Sequence, residues 1–220
     1  MTVIVLVLHG QIIMLLHKYI VQKKPHNILE LGSGKTTLVM AHALALLNKE
    51  DPKIKRKLYS YEAIRKFYEN IKKIIPFKYF AHVDLIYSER RETFWRETVY
   101  GFHYSQLPRV PFDMVFVDGP TEYRDAEAIK KGEKGVCLDL FYLLEAQQNH
   151  PIDVIVDRKL NSLQVYQSLL PKRLVKFDPI MDVGVIPKLQ GNMLEKEVKN
   201  KLLLAGSAWR ALNMVGNYKS

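Results

Sequence analysis

Four carboxylates that end or follow short apolar runs, together with two closely spaced glycines, are the residues best suited by type and spacing to binding chemistry. They are Glu30, Glu62, Asp84 and Asp118, with Gly32, Ser33 and Gly34 between the first run and a helical stretch. A glycine-containing turn from strand to helix lets backbone amides face a ligand across the strand ends. Glu62 lies 28 residues after Gly34, at the end of a second apolar run. A carboxylate there can take both hydroxyls of a ribose, or can favour the start of the following helix. Asp84, in His82-Val83-Asp84, either contacts a base near a third strand end or caps a turn. Asp118 follows Phe112-Asp113-Met114-Val115-Phe116-Val117 and precedes Gly119-Pro120. A carboxylate at such a strand end either points into a ligand crevice as a general base or only caps the turn. Tyr123 and Asp157 are weaker candidates for the same base.

The segment Gly34-Lys35-Thr36 also spells the end of a phosphate-cradling P-loop. That loop needs a glycine five residues before Gly34, where this sequence has Leu29 inside the strand, leaving too little chain to wrap a phosphate. Read instead as Glu30-x-Gly32-x-Gly34, the segment resembles the first motif of class I S-adenosylmethionine-dependent methyltransferases. Tyr59-Ser60-Tyr61-Glu62 is similar to the second motif of that superfamily, and the run ending in Asp118 to its fourth. The resemblance covers residues 27–158 and implies a Rossmann-like fold with S-adenosylmethionine as cofactor. Gly32, Ser33 and Gly34 would then let the backbone approach the methionine part, Glu30 would accept from the cofactor's ammonium or order the loop, and Glu62 would take the ribose and Asp84 the adenine region. Asp118 would face the methyl group and the acceptor. An NAD-binding protein would place a third glycine where Thr37 stands. In some O-methyltransferases of the superfamily a metal lies between acids after strands four and five. Asp118 and Asp157 match two such positions, but the third holds Arg158, which cannot ligate, so no metal is expected. Two other classes stay open: a non-catalytic binding module of the same fold, and a nucleotide-binding protein using Gly34-Lys35-Thr36.

These residues need a doubly wound, mostly parallel α/β sheet with helices on both faces to bring them together. Alternating strand-like and helical patterns predict strands at 27–31, 57–61, 79–83, 112–117 and 153–156. Helices are expected over 36–48, 64–75, 135–149 and 162–169, with a short one in the polar stretch 88–98. An antiparallel hairpin of 173–180 with 183–186 and a helix over 193–211 close the chain. Aromatic Tyr100, Phe102, Tyr104 and Tyr123 line a cleft or serve as packing.

With 220 residues, 48% of them hydrophobic, and no repeat or linker, the chain reads as one domain, 1–220. The apolar opening, interrupted by His9, Gly10 and Gln11, is too short to span a bilayer and lacks the basic start of an export signal. It is expected to form a helical segment, 1–24, packed on the domain. Thirty-three Lys and Arg against 23 Asp and Glu give a formal charge of +10. That balance suits an anionic acceptor or a nucleic acid, although no nucleic-acid-binding motif accompanies it. The lone Cys137 excludes an internal disulfide and fits a buried apolar role in a reducing compartment, the cytoplasm.

Overall fold

The computed structural model describes residues 2–123, 126–131, 134–171 and 173–194. Seven strands form one sheet in the order β3-β2-β1-β6-β8-β10-β9. They are β1 (Asn27–Leu31), β2 (Lys57–Glu62), β3 (Val83–Tyr87), β6 (Met114–Val117), β8 (Ile152–Asp157), β9 (Lys176–Asp178) and β10 (Val183–Leu189). The first five run parallel, and β10 pairs antiparallel with both β8 and β9. This is the expected doubly wound Rossmann-like sheet with its antiparallel terminal hairpin. The chain order reverses at β1: β2 and β3 lie on one side and β6 on the other. Ligands bind outside the carboxyl ends of strands at such a switch point.

β6 is a continuous apolar run, as expected of a parallel strand covered on both faces. Met114, Val115, Phe116 and Val117 are all enclosed. One face packs under α1 (Thr2–Lys23), α2 (Lys35–Glu50) and α3 (Arg65–Ile74) through Ile12, Leu16, Ile20, Met40, Leu44 and Ile71. The other packs under α5 (Asp139–Ala146) and α6 (Leu160–Leu169) through Phe141, Leu144, Val165 and Tyr166. A short α4 (Ala126–Lys131) lies between β6 and β8 in the chain. Within α1 the packing against this face is made by Ile12, Leu16 and Ile20. Among the described residues, no helix is long and apolar enough to cross a membrane.

Three expectations need correction. The third strand is β3, not 79–83, because Phe77–His82 forms a 3-10 turn started by Pro76. As an edge strand β3 has one partner and needs no continuous apolar run, so the aromatic Tyr79-Phe80 gave the stronger but misleading signal. The polar stretch 88–98 is not helical. It contains β4 (Arg90–Trp95), paired antiparallel with β5 (Val99–Tyr104), and β5 pairs with the two-residue β7 (Val136–Cys137) in a second sheet. Arg96 and Glu97 turn this hairpin with φ of 47° and 57°. Asn or Gly usually marks such a turn in a sequence, and neither is present. The helix expected over 135–149 shrinks to α5, since Gly135 packs against the Phe102 ring and Cys137 belongs to β7. Cys137 is buried as expected, and burial pushes its thiol pKa well above the usual value. Phe102 and Tyr104 are also buried, and Tyr100 packs edge-on to Phe102, so most of the aromatic group serves packing. The helix expected over 193–211 lies almost wholly outside the described residues, the last described element being a 3-10 turn, Gly191–Met193.

Candidate functional site

The loop from β1 to α2 is only Gly32-Ser33-Gly34, too short for a P-loop, and its first glycine is fixed by packing. Gly32 has φ of +99°, and a Cβ there would lie 2.7 Å from the Gly119 nitrogen. A Cβ on Gly119 would in turn meet the Gly32 Cα at 2.8 Å. The ends of β1 and β6 can approach this closely only because both residues lack side chains. Gly34 differs: its backbone is extended and a Cβ would find nothing nearer than 3.9 Å. The bare face of Gly34 is therefore open space, which leaves room for a ligand beside the backbone.

Glu30 lies beneath this loop and is fully enclosed. Its carboxylate accepts hydrogen bonds from the hydroxyls of Thr36 (2.6 Å), Thr37 (2.6 Å) and Ser60 (2.5 Å). The Gly34 amide donates to the Thr37 oxygen at 2.9 Å, so Glu30 holds the loop through hydroxyl relays. Of the two roles open to Glu30, the geometry supports ordering the loop. Burial raises its pKa from 4.5 to about 7, against the lowering effect of the three hydroxyls, with a smaller upward push from Asp118.

Glu62 ends β2 and is nearly buried. One oxygen accepts from the Ser33 hydroxyl at 3.0 Å and the other from the Ile64 amide at 2.8 Å. A carboxylate offers about four acceptor positions, so roughly two stay open for a diol. Asp118 follows β6, its amide bonded to the Leu31 carbonyl at 2.8 Å. Burial and then the neighbouring Asp157 raise its pKa from 3.8 to about 6, while Lys159 and Arg158 oppose the rise. Asp157 ends β8 and is gripped by the Arg158 guanidinium at 3.0 Å and 3.2 Å. The arrangement places Glu62, Glu30, Asp118 and Asp157 at the carboxyl ends of four neighbouring strands, β2, β1, β6 and β8. The row is acidic in a chain of net charge +10.

Asp84 does not join them. It is the second residue of β3, level with Tyr59 and three residues before the level of Glu62, which puts it about 10 Å back along the sheet. Its partner is Lys57, at 2.8 Å, at the start of β2. The four-residue shift of β3 along the chain puts Asp84 near the amino end of the strand rather than at its carboxyl end. The residues that stand at the carboxyl end instead are Tyr87 and Ser88, which the sequence did not single out. With Tyr61, Ile86 and residues 105–108 they line a hollow of about 190 Å³. Ser88 donates its amide to the Glu62 carbonyl at 3.0 Å, linking this hollow to the acidic row. Tyr104 was seen only as an aromatic; its hydroxyl lies beneath Gly119 and 3.4 Å from the Tyr61 carbonyl.

A larger cleft, about 740 Å³, runs between residues 103–111 and α5. It extends from Tyr104 to His150, which pairs with Asp113 at the amino end of β6, and so follows the flank of the sheet rather than its carboxyl ends.

No family model and no curated protein matches the chain. Among solved structures it is similar to the O-methyltransferase TomG from Streptomyces achromogenes, involved in tomaymycin synthesis and crystallised with SAM. The identity is 18%, over 93% of this chain and 67% of that one, with a TM-score of 0.42. It is also similar to the SAH-bound methyltransferase PaMTH1 from Podospora anserina, at 16% identity over 80% of this chain and 76% of that one, with a TM-score of 0.42.

Proposed function

We propose that the chain is an S-adenosylmethionine-dependent methyltransferase whose cofactor lies across the carboxyl ends of β1, β2 and β6. The observation that carries this reading is the row of four carboxylates at the switch point of a basic protein. Asp157 is neutralised by Arg158 and Glu30 is half protonated near pH 7, so it is mainly the Glu62 and Asp118 carboxylates that repel a polyphosphate and favour a cation. S-adenosylmethionine carries its methyl group on a positive sulfonium and has an ammonium beside it, so the charge of the site fits that cofactor and opposes ATP.

In this reading the open face of Gly34 admits the methionine part, Ser33 and Glu62 receive the ribose, and the hollow beside Tyr87 and Ser88 takes the base. The bound cofactor supplies an electrophilic methyl group. The protein's part is to align an acceptor in line with that bond, to exclude water, and to accept the acceptor's proton. Asp118 is the carboxylate placed to take the proton. Lys159, whose charge acts on Asp118, suits an anionic acceptor.

Titration calorimetry tests the assignment. S-adenosylmethionine is expected to bind with micromolar affinity and ATP far more weakly. The pH dependence carries the sign of the site: Asp118 is ionised only above about 6. Affinity for the sulfonium cofactor therefore rises from pH 5 to pH 7.5, by up to about tenfold per unit for each linked proton. The neutral thioether product should rise less. Tight ATP binding with no heat from either adenosyl ligand would overturn the reading. Retained cofactor binding with no methyl transfer to any acceptor class would favour a non-catalytic module.

Glu62→Ala removes the ribose contact together with the acceptor of the Ser33 hydroxyl and the Ile64 amide, so the melting temperature is measured beside the affinity. The expected result is a cofactor dissociation constant raised about ten- to a hundredfold, the worth of roughly 1.5 to 3 kcal/mol per charged hydrogen bond. An unchanged constant would place the ribose elsewhere.

A further inference from the structure

We propose that the outer edge of α3 and the 3-10 turn after it form a docking surface for an anionic lipid membrane, a property separate from cofactor binding. Four large apolar side chains are exposed there: Phe67 (50%), Ile74 (52%), Phe77 (86%) and Phe80 (52%). Phe67 and Ile74 are two turns apart on one flank of α3, while Ile71 and Ile75 fill the buried side against the sheet. Phe77 and Phe80 meet edge to face at 5.6 Å. α3 packs on β2 and on the edge strand β3, so this flank faces away from the rest of the sheet.

Charge decides what covers it. Residues 64–81 contain Arg65, Lys66, Lys72, Lys73 and Lys78 against the single acid Glu69, which Arg65 already pairs at 3.2 Å. Lys66, Lys73 and Lys78 are exposed around the apolar strip. A second copy of the chain would bring the same positive patch face to face with itself, and like charges oppose that pairing. Single strands of nucleic acid stack their bases on aromatic faces, whereas the aliphatic Ile74 is exposed on the same segment as the three Phe rings and offers hydrocarbon with no face to stack on. Exposed apolar side chains ringed by lysines match the boundary of an acidic bilayer, where the rings enter the acyl region and the ammonium groups meet the headgroups. The turn leads into the amino end of β3, opposite the acidic row, so a protein seated by this edge keeps its crevice clear of the lipid.

Flotation of the full chain with vesicles tests this, comparing phosphatidylcholine containing phosphatidylserine with phosphatidylcholine alone. Binding is expected on the anionic vesicles and to fall with added salt. Phe77→Ser combined with Phe80→Ser should weaken it by at least about tenfold, as should Lys66→Glu, Lys73→Glu and Lys78→Glu together. All these residues are exposed, so the melting temperature and cofactor affinity should stay unchanged. Binding to the anionic vesicles that survives both sets of substitutions overturns the proposal. So does an absence of vesicle binding, a dimer in solution that the Phe variants dissolve, or an RNA affinity that they abolish.

Discussion

The expected result of Asp118→Asn is a fall in methyl-transfer turnover of roughly two to four orders of magnitude, the usual contribution of a positioned general base. Asn keeps the shape and some hydrogen bonding of the carboxyl group but cannot accept a proton at neutral pH. Cofactor affinity should change far less than turnover, because a group that acts in the transition state lowers kcat and kcat/KM together. Wild-type kcat/KM should rise with pH through about 6, where the Asp118 carboxyl of the free protein ionises, and this limb should vanish in the variant. Stability moves in the opposite sense. The folded-state pKa lies above the usual 3.8, so the contribution of this carboxyl to stability is complete below about 4 and is lost as pH rises through about 6. At pH 7.5 the Asn variant should therefore melt at the wild-type temperature or slightly above it. If Asp118 only caps the turn, Asn serves equally well and full activity survives.

Glu30→Ala should have the largest effect on stability. It removes the acceptor of three buried hydroxyls and leaves a cavity beneath the loop. Buried hydroxyls left without an acceptor cost about 1 to 3 kcal/mol each, less where they pair with one another, and the cavity adds to this, so a loss of about 3 to 5 kcal/mol is expected. In a chain of this size each kcal/mol moves the melting temperature by roughly 2 to 4 °C, so a drop of about 10 °C is expected in thermal denaturation at pH 7.5. Glu30→Gln fills the same space and should lose less. It should also flatten the pH dependence, since the Glu30 pKa is raised to about 7 and its stabilising share fades as pH rises through that value. A melting temperature unchanged in the Ala variant would show that the hydroxyls find other partners and that Glu30 does not hold the loop.

Local patterns in the sequence determined the strands β1, β2, β6 and β8, the helices α2, α3 and α6, and the antiparallel hairpin at the end of the described chain. β6 is a continuous apolar run, as suits a central parallel strand buried on both faces, whereas the apolar patterns of β1, β2 and β8 are legible although Glu30, Ser60 and Asp153 interrupt them. The positions of Gly32, Gly34, Glu62 and Asp118 at strand ends followed from the same runs. Tertiary structure decided the rest. β3 sits at the sheet edge, where one neighbour suffices, and its shift carried Asp84 to the wrong end of the sheet and brought Tyr87 and Ser88 to the right one. The β4–β5 hairpin satisfies its backbone through pairing between strands and turns on Arg96 and Glu97, residues that give no turn signal in sequence. The different roles of two similar glycines were also hidden. Only the approach of β6 shows that Gly32 is required by Gly119 and that the space beside Gly34 is free, because close contact between chain segments far apart in sequence leaves no trace in either segment alone.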